Sequence, residues 1–120
     1  MDVSIKLDEQ RMQDLFIGAF EGGSSYWAEV RDSSPTNECQ SPSERWWKHI
    51  MVDGGEMKVY DNEDEESEPT VLNKAGVEKG FQLMAQNEAR HFMDWLSEND
   101  DATTADVWFQ LALFGQVVYG

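Results

Sequence analysis

The sequence predicts a single α+β domain, in which a small antiparallel sheet of about three strands packs against three to four helices. Three observations lead to this prediction. The chain has 120 residues, a length that suits one hydrophobic core. Its composition is 40% hydrophobic and includes five Trp, six Phe and three Tyr, too many for a disordered acidic chain. Apolar residues recur at helical spacing in some segments and alternate with polar residues in others.

The first elements follow from the pattern between residues 3 and 23. Residues 3–7 alternate apolar and polar side chains, which is typical of a half-buried strand. Asp8 then occupies an N-cap position, and apolar residues follow at helical spacing as far as Phe20. The glycine pair at 22–23 is expected to end this first helix.

The middle of the chain is predicted to contain most of the sheet. Residues 24–30 indicate a short extra turn, and residues 32–44 are rich in Ser, Pro, Asn and Thr, as surface loops are. Residues 46–52 form the second strand candidate, whose two tryptophans should then point to opposite faces. The sequence Asp-Gly-Gly at 53–55 predicts a hairpin turn, and residues 57–60 supply the return strand.

The remaining elements are helices. Asn73 is a candidate N-cap for a helix with apolar residues at helical spacing, and a second helix is expected over residues 88–97. Either Thr103 or Thr104 is expected to cap a final apolar helix. That helix should end at Gly115.

The strongest compositional signal is charge. Twenty-four acidic residues stand against nine Lys and Arg, for a net charge of -15. A loop at 61–69 carries the densest run, in which six of eight residues are acidic: Asp61, Glu63, Asp64, Glu65, Glu66 and Glu68. Such a field repels nucleic acid and anionic membranes and attracts basic protein surfaces. The run therefore indicates either a solvated loop or a contact surface for a basic partner.

A second acidic group lies near the last interhelical turn. Its members are Asp94, Glu98, Asp100, Asp101 and Asp106. If both groups shared a face, they would form an array of carboxylates resembling the charge of duplex DNA, and the protein could occupy the basic channel of a nucleic-acid-binding complex. We therefore take both groups as candidate partner-binding residues.

Catalytic and metal chemistry find little support in the sequence. The acidic run fails as a calcium loop, because Glu66 stands at the required glycine and Leu72 at the closing glutamate. His49, His91 and the single Cys39 lack the spacing of zinc ligands, and one cysteine excludes an internal disulfide. We expect no catalytic residue, no metal site and no cofactor, and hence a protein that is not an enzyme.

A small-molecule site is the alternative to a protein-binding surface. Glu21, Tyr26 and Trp27 surround a flexible turn, and the two aromatic rings either stack on a ligand such as a nucleotide or pack in the core. The amino terminus has neither a basic nor an apolar leader region, and no apolar run approaches the roughly 20 residues of a membrane helix. We therefore expect a cytoplasmic protein.

Three segments carry a resemblance to a known group of proteins. These are residues 19–27 (AFEGGSSYW), residues 79–85 (KGFQLMA), and the close of the chain from residue 98, which ends in ADVWFQLALFGQVVYG. They resemble small acidic proteins of bacteriophages and prophages. The resemblance implies a phage origin and a bacterial cytoplasm, and it implies no particular activity. In size and charge such proteins are similar to phage inhibitors of CRISPR complexes and restriction enzymes. The leading hypothesis is an acidic, DNA-mimicking inhibitor of a host nuclease or CRISPR complex.

Overall fold

The computed structural model describes residues 8–120, which form an α+β fold. The strand expected at residues 3–7 lies outside the described residues. The predicted fold class is confirmed, with five α-helices in this part of the chain instead of three or four. In chain order the elements are α1 (Glu9–Gly18), a π-helical turn (Ala19–Gly23), β1 (Ala28–Glu29), α2 (Pro42–Met51), β2 (Met57–Asp61), β3 (Thr70–Leu72), α3 (Lys74–Asn87), α4 (Ala89–Leu96) and α5 (Ala102–Phe114).

The sheet has β2 at its centre, with β1 and β3 antiparallel on either side. Met57 and Val59 of β2 are buried while Lys58 between them is exposed, as expected for a strand with one face on the core. Because β2 pairs directly with β3, the acidic residues between them form the connection of a β-hairpin.

Helix α5 is the centre of the core. Every residue from 104 to 112 is buried, and α3 packs along it. The two helices approach closely at Gly80, where a Cβ atom would lie 2.8 Å from the Cβ of Ala112. Trp108 lies in the middle, with its ring centroid 5.1 Å from that of Phe81. No helix within residues 8–120 is both long enough and apolar enough to span a membrane.

Three predicted helix boundaries are confirmed. The side chain of Asp8 accepts a hydrogen bond from the backbone N–H of Gln10 at 2.9 Å, and that of Asn73 accepts one from Gly76 at 2.8 Å. Both are N-cap contacts that satisfy free backbone donors. Gly115 ends α5 with a φ of 74°, a left-handed conformation that glycine adopts at little cost.

The strand predicted at residues 46–52 is wrong, because this segment belongs to α2. Ser41 is the N-cap: its hydroxyl oxygen accepts from the N–H of Glu44 at 3.2 Å and donates to the Glu44 carboxylate at 2.9 Å. Residues 41–44 have the sequence of a capping box, of which the contact from the N-cap side chain is formed, and proline stands at the first helical position. Trp46 and Trp47 are both buried rather than directed to opposite faces.

The hairpin turn predicted at residues 53–55 is also wrong, although the strand that follows it is confirmed as β2. The segment joins α2 to β2, and the N–H of Gly55 donates to the carbonyl of His49 at 2.7 Å. Instead of residues 46–52, the strand β1 pairs with β2 along the edge opposite β3. This strand lies in residues 24–30, for which a turn was predicted.

Candidate functional site

Residues 61–68, hereafter the acidic hairpin, form two successive turns. The Asp61 carboxylate accepts a hydrogen bond from the N–H of Glu63 at 2.9 Å, and the Asp64 carboxylate accepts one from Glu66 at 3.1 Å. These contacts lock each aspartate to the backbone two residues ahead, as in Asx turns. The first contact, together with a hydrogen bond from Tyr119, lowers the pKa of Asp61.

The first residue after β2 ties the acidic hairpin to the rest of the molecule. The backbone N–H of Asn62 donates to the carbonyl of Trp27 at 2.9 Å, and its side-chain amide donates to the carbonyl of Ser25 at 3.1 Å. These two hydrogen bonds attach the beginning of the acidic hairpin to residues 25–27.

Arg31 supports the acidic hairpin from the side. Its guanidinium group lies 4.3 Å from the ring centroid of Tyr60, pairs with the Glu29 carboxylate at 3.2 Å, and reaches the backbone carbonyl of Glu65 at 3.5 Å. The guanidinium contacts the backbone of the acidic hairpin and forms its ion pair with Glu29, not with a carboxylate of the hairpin.

Five of the six carboxylates of the acidic hairpin face solvent. Within residues 8–120 there are three ion pairs, and none of them includes a residue of the acidic hairpin. Its exposed acidic residues are Glu63, Asp64, Glu65, Glu66 and Glu68. The predicted run therefore presents five unpaired negative charges on an anchored connection.

The second predicted acidic group is divided by the fold. Glu98 is exposed and has a φ of 62°, and Asp94 is half-buried on α4. Asp100 is exposed and lies 3.8 Å from the guanidinium of Arg11. These three carboxylates remain at or near the surface, as expected.

Asp101 and Asp106 have structural positions instead. Asp101 is the N-cap of α5 and accepts from the N–H of Thr104 at 3.0 Å, which lowers its pKa. The prediction that Thr103 or Thr104 caps this helix is therefore wrong. The prediction that Asp106 contributes to the contact surface is also wrong, because its side chain lies on the buried face of α5 and only 7% of the residue is exposed.

Asp106 is the acceptor at the centre of a buried hydrogen-bond network. Its Oδ1 accepts from the hydroxyl of Ser24 and the indole N–H of Trp27, both at 2.8 Å. Its Oδ2 accepts from the hydroxyl of Tyr26 at 2.6 Å and the amide of Gln110 at 3.0 Å. Four donors replace the water that a buried carboxylate loses, and without them burial of the charge would cost several kcal/mol.

The backbone explains how these residues meet. Asp106 and Gln110 are four residues apart and so share one face of α5. The π-helical turn brings residues 24–27 against that face. At Gly23 a Cβ atom would lie 2.5 Å from the carbonyl oxygen of Ala102, so only glycine permits this approach.

Gln110 also holds the C-terminal segment. Its Oε1 accepts from the N–H groups of Val118 and Tyr119 at 2.7 and 2.8 Å. The Tyr119 ring stacks on Trp27 with centroids 4.8 Å apart, and its hydroxyl donates to the Asp61 carboxylate at 2.8 Å. Tyr119 therefore links the Asp106 network to the base of the acidic hairpin.

Glu21, Tyr26 and Trp27, the residues of the alternative ligand-binding site, all make hydrogen bonds within the fold. Trp27 is 3% exposed, so the prediction that it could stack on a nucleotide is wrong. Glu21 accepts from the hydroxyl of Ser43 at 2.9 Å. Tyr26 is half exposed and lines an open cleft of about 520 Å³; partial burial and its hydrogen bond to Asp106 raise its pKa to about 12.

The histidines take no part in these sites. His91 Nδ1 lies 3.1 Å from the hydroxyl of Thr104. Within residues 8–120, no group of three or more His, Cys, Asp or Glu side chains is placed to hold a metal ion.

Sequence reasoning missed Ser24, Gln110 and Tyr119, all of which contribute to the network. One signal was present in residues 106–114 (DVWFQLALF). Asp106 and Gln110 are the two polar residues of this otherwise apolar stretch, and they are four residues apart. Polar residues so placed on a buried helix need partners. The sequence offers no comparable signal for the partners themselves.

Comparison of the chain with protein-family models, with curated protein sequences and with solved structures finds no match. The resemblance to small phage proteins therefore stays a prediction. Its first and last segments contact each other in the fold, because Ser24, Tyr26 and Trp27 donate to Asp106.

Proposed function

We propose that this chain is a non-catalytic binding protein that engages a basic protein surface through the acidic hairpin. Following the resemblance, the proposed setting is the cytoplasm of a phage-infected bacterium. The proposed partner is a host nuclease or CRISPR complex, and the proposed contact is the basic channel in which that partner binds nucleic acid. No direct contact with nucleic acid or membrane is part of the proposal.

One observation carries this proposal: five exposed carboxylates lie on a connection whose backbone is held by Asn62 and Arg31. Charges on an ordered segment lose less conformational entropy on binding than charges on a mobile one. Because none of the ion pairs within residues 8–120 involves the acidic hairpin, a basic partner does not have to displace a cation of this part of the chain from its carboxylates. Such an interface should form rapidly and weaken as salt rises.

The test compares two variants of equal net charge. In the first, Glu63, Glu65 and Glu66 are changed to Gln; in the second, three exposed glutamates elsewhere, Glu9, Glu56 and Glu78, are changed to Gln. The unmodified protein and both variants are used to capture partners from bacterial lysate at low and high salt, with mass spectrometry as the readout. We expect a nuclease or CRISPR complex to be captured at low salt by the unmodified protein and the second variant, and to be lost with the first.

Equal capture by both variants would show that net charge alone is responsible and would overturn the role of the acidic hairpin. Competition with duplex DNA tests the mimicry. If the captured complex is displaced by DNA, the occupied surface is the nucleic-acid channel; if DNA leaves it bound, the partner is engaged elsewhere and the mimicry proposal fails.

A further inference from the structure

A cavity with mostly apolar side chains in its lining lies between the π-helical turn, the sheet and α5. It measures about 120 Å³; its apolar lining is Ala19, Phe20, Ala28, Val30, Val59 and Phe109, and the serines at 24 and 25 complete it. An apolar cavity of about 150 Å³ is large enough to hold benzene, so this space fits one aliphatic side chain. We call it the apolar socket.

The apolar socket opens beside the acidic hairpin. Ser25 and Ala28 line both the socket and a larger open groove of about 790 Å³, whose other lining residues include Glu29, Asn62 and Glu65. Ser25 and Ala28 therefore border both spaces. An extended segment lying in the groove would contact these two residues and so lie next to the socket.

The charge of the groove is negative. Arg31 is its one cation among the residues that line it, and that guanidinium group is paired with Glu29 and stacked on Tyr60. The Glu65 side chain is exposed, and further exposed carboxylates of the acidic hairpin follow it in the chain. A segment bearing Lys or Arg is therefore the complementary occupant.

We propose that the apolar socket receives a single aliphatic side chain, such as Leu, Ile or Met, from a basic segment of the partner protein. The Lys and Arg residues that flank this side chain in the partner lie against the acidic hairpin. The inference rests on the proposed function and adds the chemistry of the recognised segment. Charge alone attracts any basic surface, whereas a buried apolar anchor distinguishes one basic segment from another.

Two synthetic peptides test the anchor on the unmodified protein. Each has lysines at both ends, and they differ only in a central leucine or a central alanine. Fluorescence anisotropy at low salt measures their affinities. We expect the leucine peptide to bind roughly ten-fold more tightly, because burial of the additional aliphatic carbons contributes to its binding alone. Rising salt should weaken both peptides while preserving their ratio.

An Ala28→Leu variant of the protein tests the same contact from the other side, by changing a residue that lines the socket. Leucine at this lining position adds three carbons that occupy part of the apolar socket without altering any charge, and the ratio of the two affinities should fall to about one. Methyl resonances of Val30 and Val59 should shift with the leucine peptide and not with the alanine peptide. These spectra use the unmodified protein and so do not depend on whether the variant folds.

The outcomes separate the two proposals. If both peptides bind equally to the unmodified protein, the acidic hairpin still binds basic segments but the anchor is overturned. If the leucine peptide instead shifts the methyl groups of Val117 and Val118, two exposed valines outside the socket, the anchor lies elsewhere and the socket is likewise overturned. If neither peptide binds, the proposed function fails together with this inference.

Discussion

The acidic hairpin and the Asp106 network use the same chemical group in opposite surroundings. In the acidic hairpin the carboxylates face water and are ordered by backbone contacts at Asp61 and Asp64. Asp106 is enclosed by α5 and residues 24–27, and its oxygens accept from four side chains. We therefore expect changes to the surface charges to affect folding little, whereas the buried charge is part of the core.

This difference shows that a count of acidic residues does not reveal their roles. Asp101 and Asp106 belong to the same sequence cluster as Asp100, yet one caps a helix, one is buried and one is exposed. Solvation decides between these roles: a carboxylate in water needs no partner, and a buried one is tolerated only with several donors.

The largest expected effect follows from removing the buried acceptor. Asp106→Ala leaves four donors without their partner, including the buried Ser24 hydroxyl and the Trp27 indole N–H. We expect a loss of about 3–5 kcal/mol in the free energy of unfolding, measured by urea denaturation. The matched control is Glu66→Ala in the acidic hairpin, which should change stability by no more than about 0.5 kcal/mol. Equal effects of the two substitutions would contradict the comparison.

The pKa of the Tyr26 hydroxyl depends on the same network, because this hydroxyl donates to Asp106. Because its pKa is raised to about 12 in the folded protein, the stability it contributes is complete below pH 10.0, its ordinary pKa, and is lost as pH rises through about 12. Asp106→Asn removes the negative charge and should lower the pKa of Tyr26, moving its ultraviolet absorbance transition to lower pH. An unshifted transition would show that burial alone, and not Asp106, raises the pKa.

More of the fold than of the candidate site could be predicted from the sequence. Caps such as Asp8 and Asn73 act on neighbouring backbone groups, so their residues are recognisable in sequence. The error at residues 46–52 was avoidable, because the capping box from Ser41 to Glu44 precedes the two tryptophans. The Asp106 network joins segments about 80 residues apart, and no local pattern specifies which distant side chains will meet.

A smaller effect is expected where the two regions are linked. Tyr119→Phe removes the hydrogen bond to Asp61 but keeps the ring that stacks on Trp27. We expect a loss of about 0.5–1.5 kcal/mol in stability. Since this bond helps to lower the pKa of Asp61, its removal should raise that pKa, as measured by NMR titration of the side-chain carboxylate. An unchanged Asp61 pKa would show that the backbone contact with Glu63 alone sets it.

The smallest expected effect concerns the charge of the acidic hairpin itself. Changing Glu63, Glu65 and Glu66 to Gln relieves repulsion among exposed carboxylates without removing any of their internal contacts, because those contacts use backbone atoms. At low salt the unfolding free energy should rise slightly, by no more than about 0.5 kcal/mol for the three substitutions together, and the gain should shrink as salt screens the repulsion. Urea denaturation at two salt concentrations measures both quantities. A clear loss of stability would mean that these carboxylates hold the fold together, as Asp106 does, and would remove the distinction between the two regions.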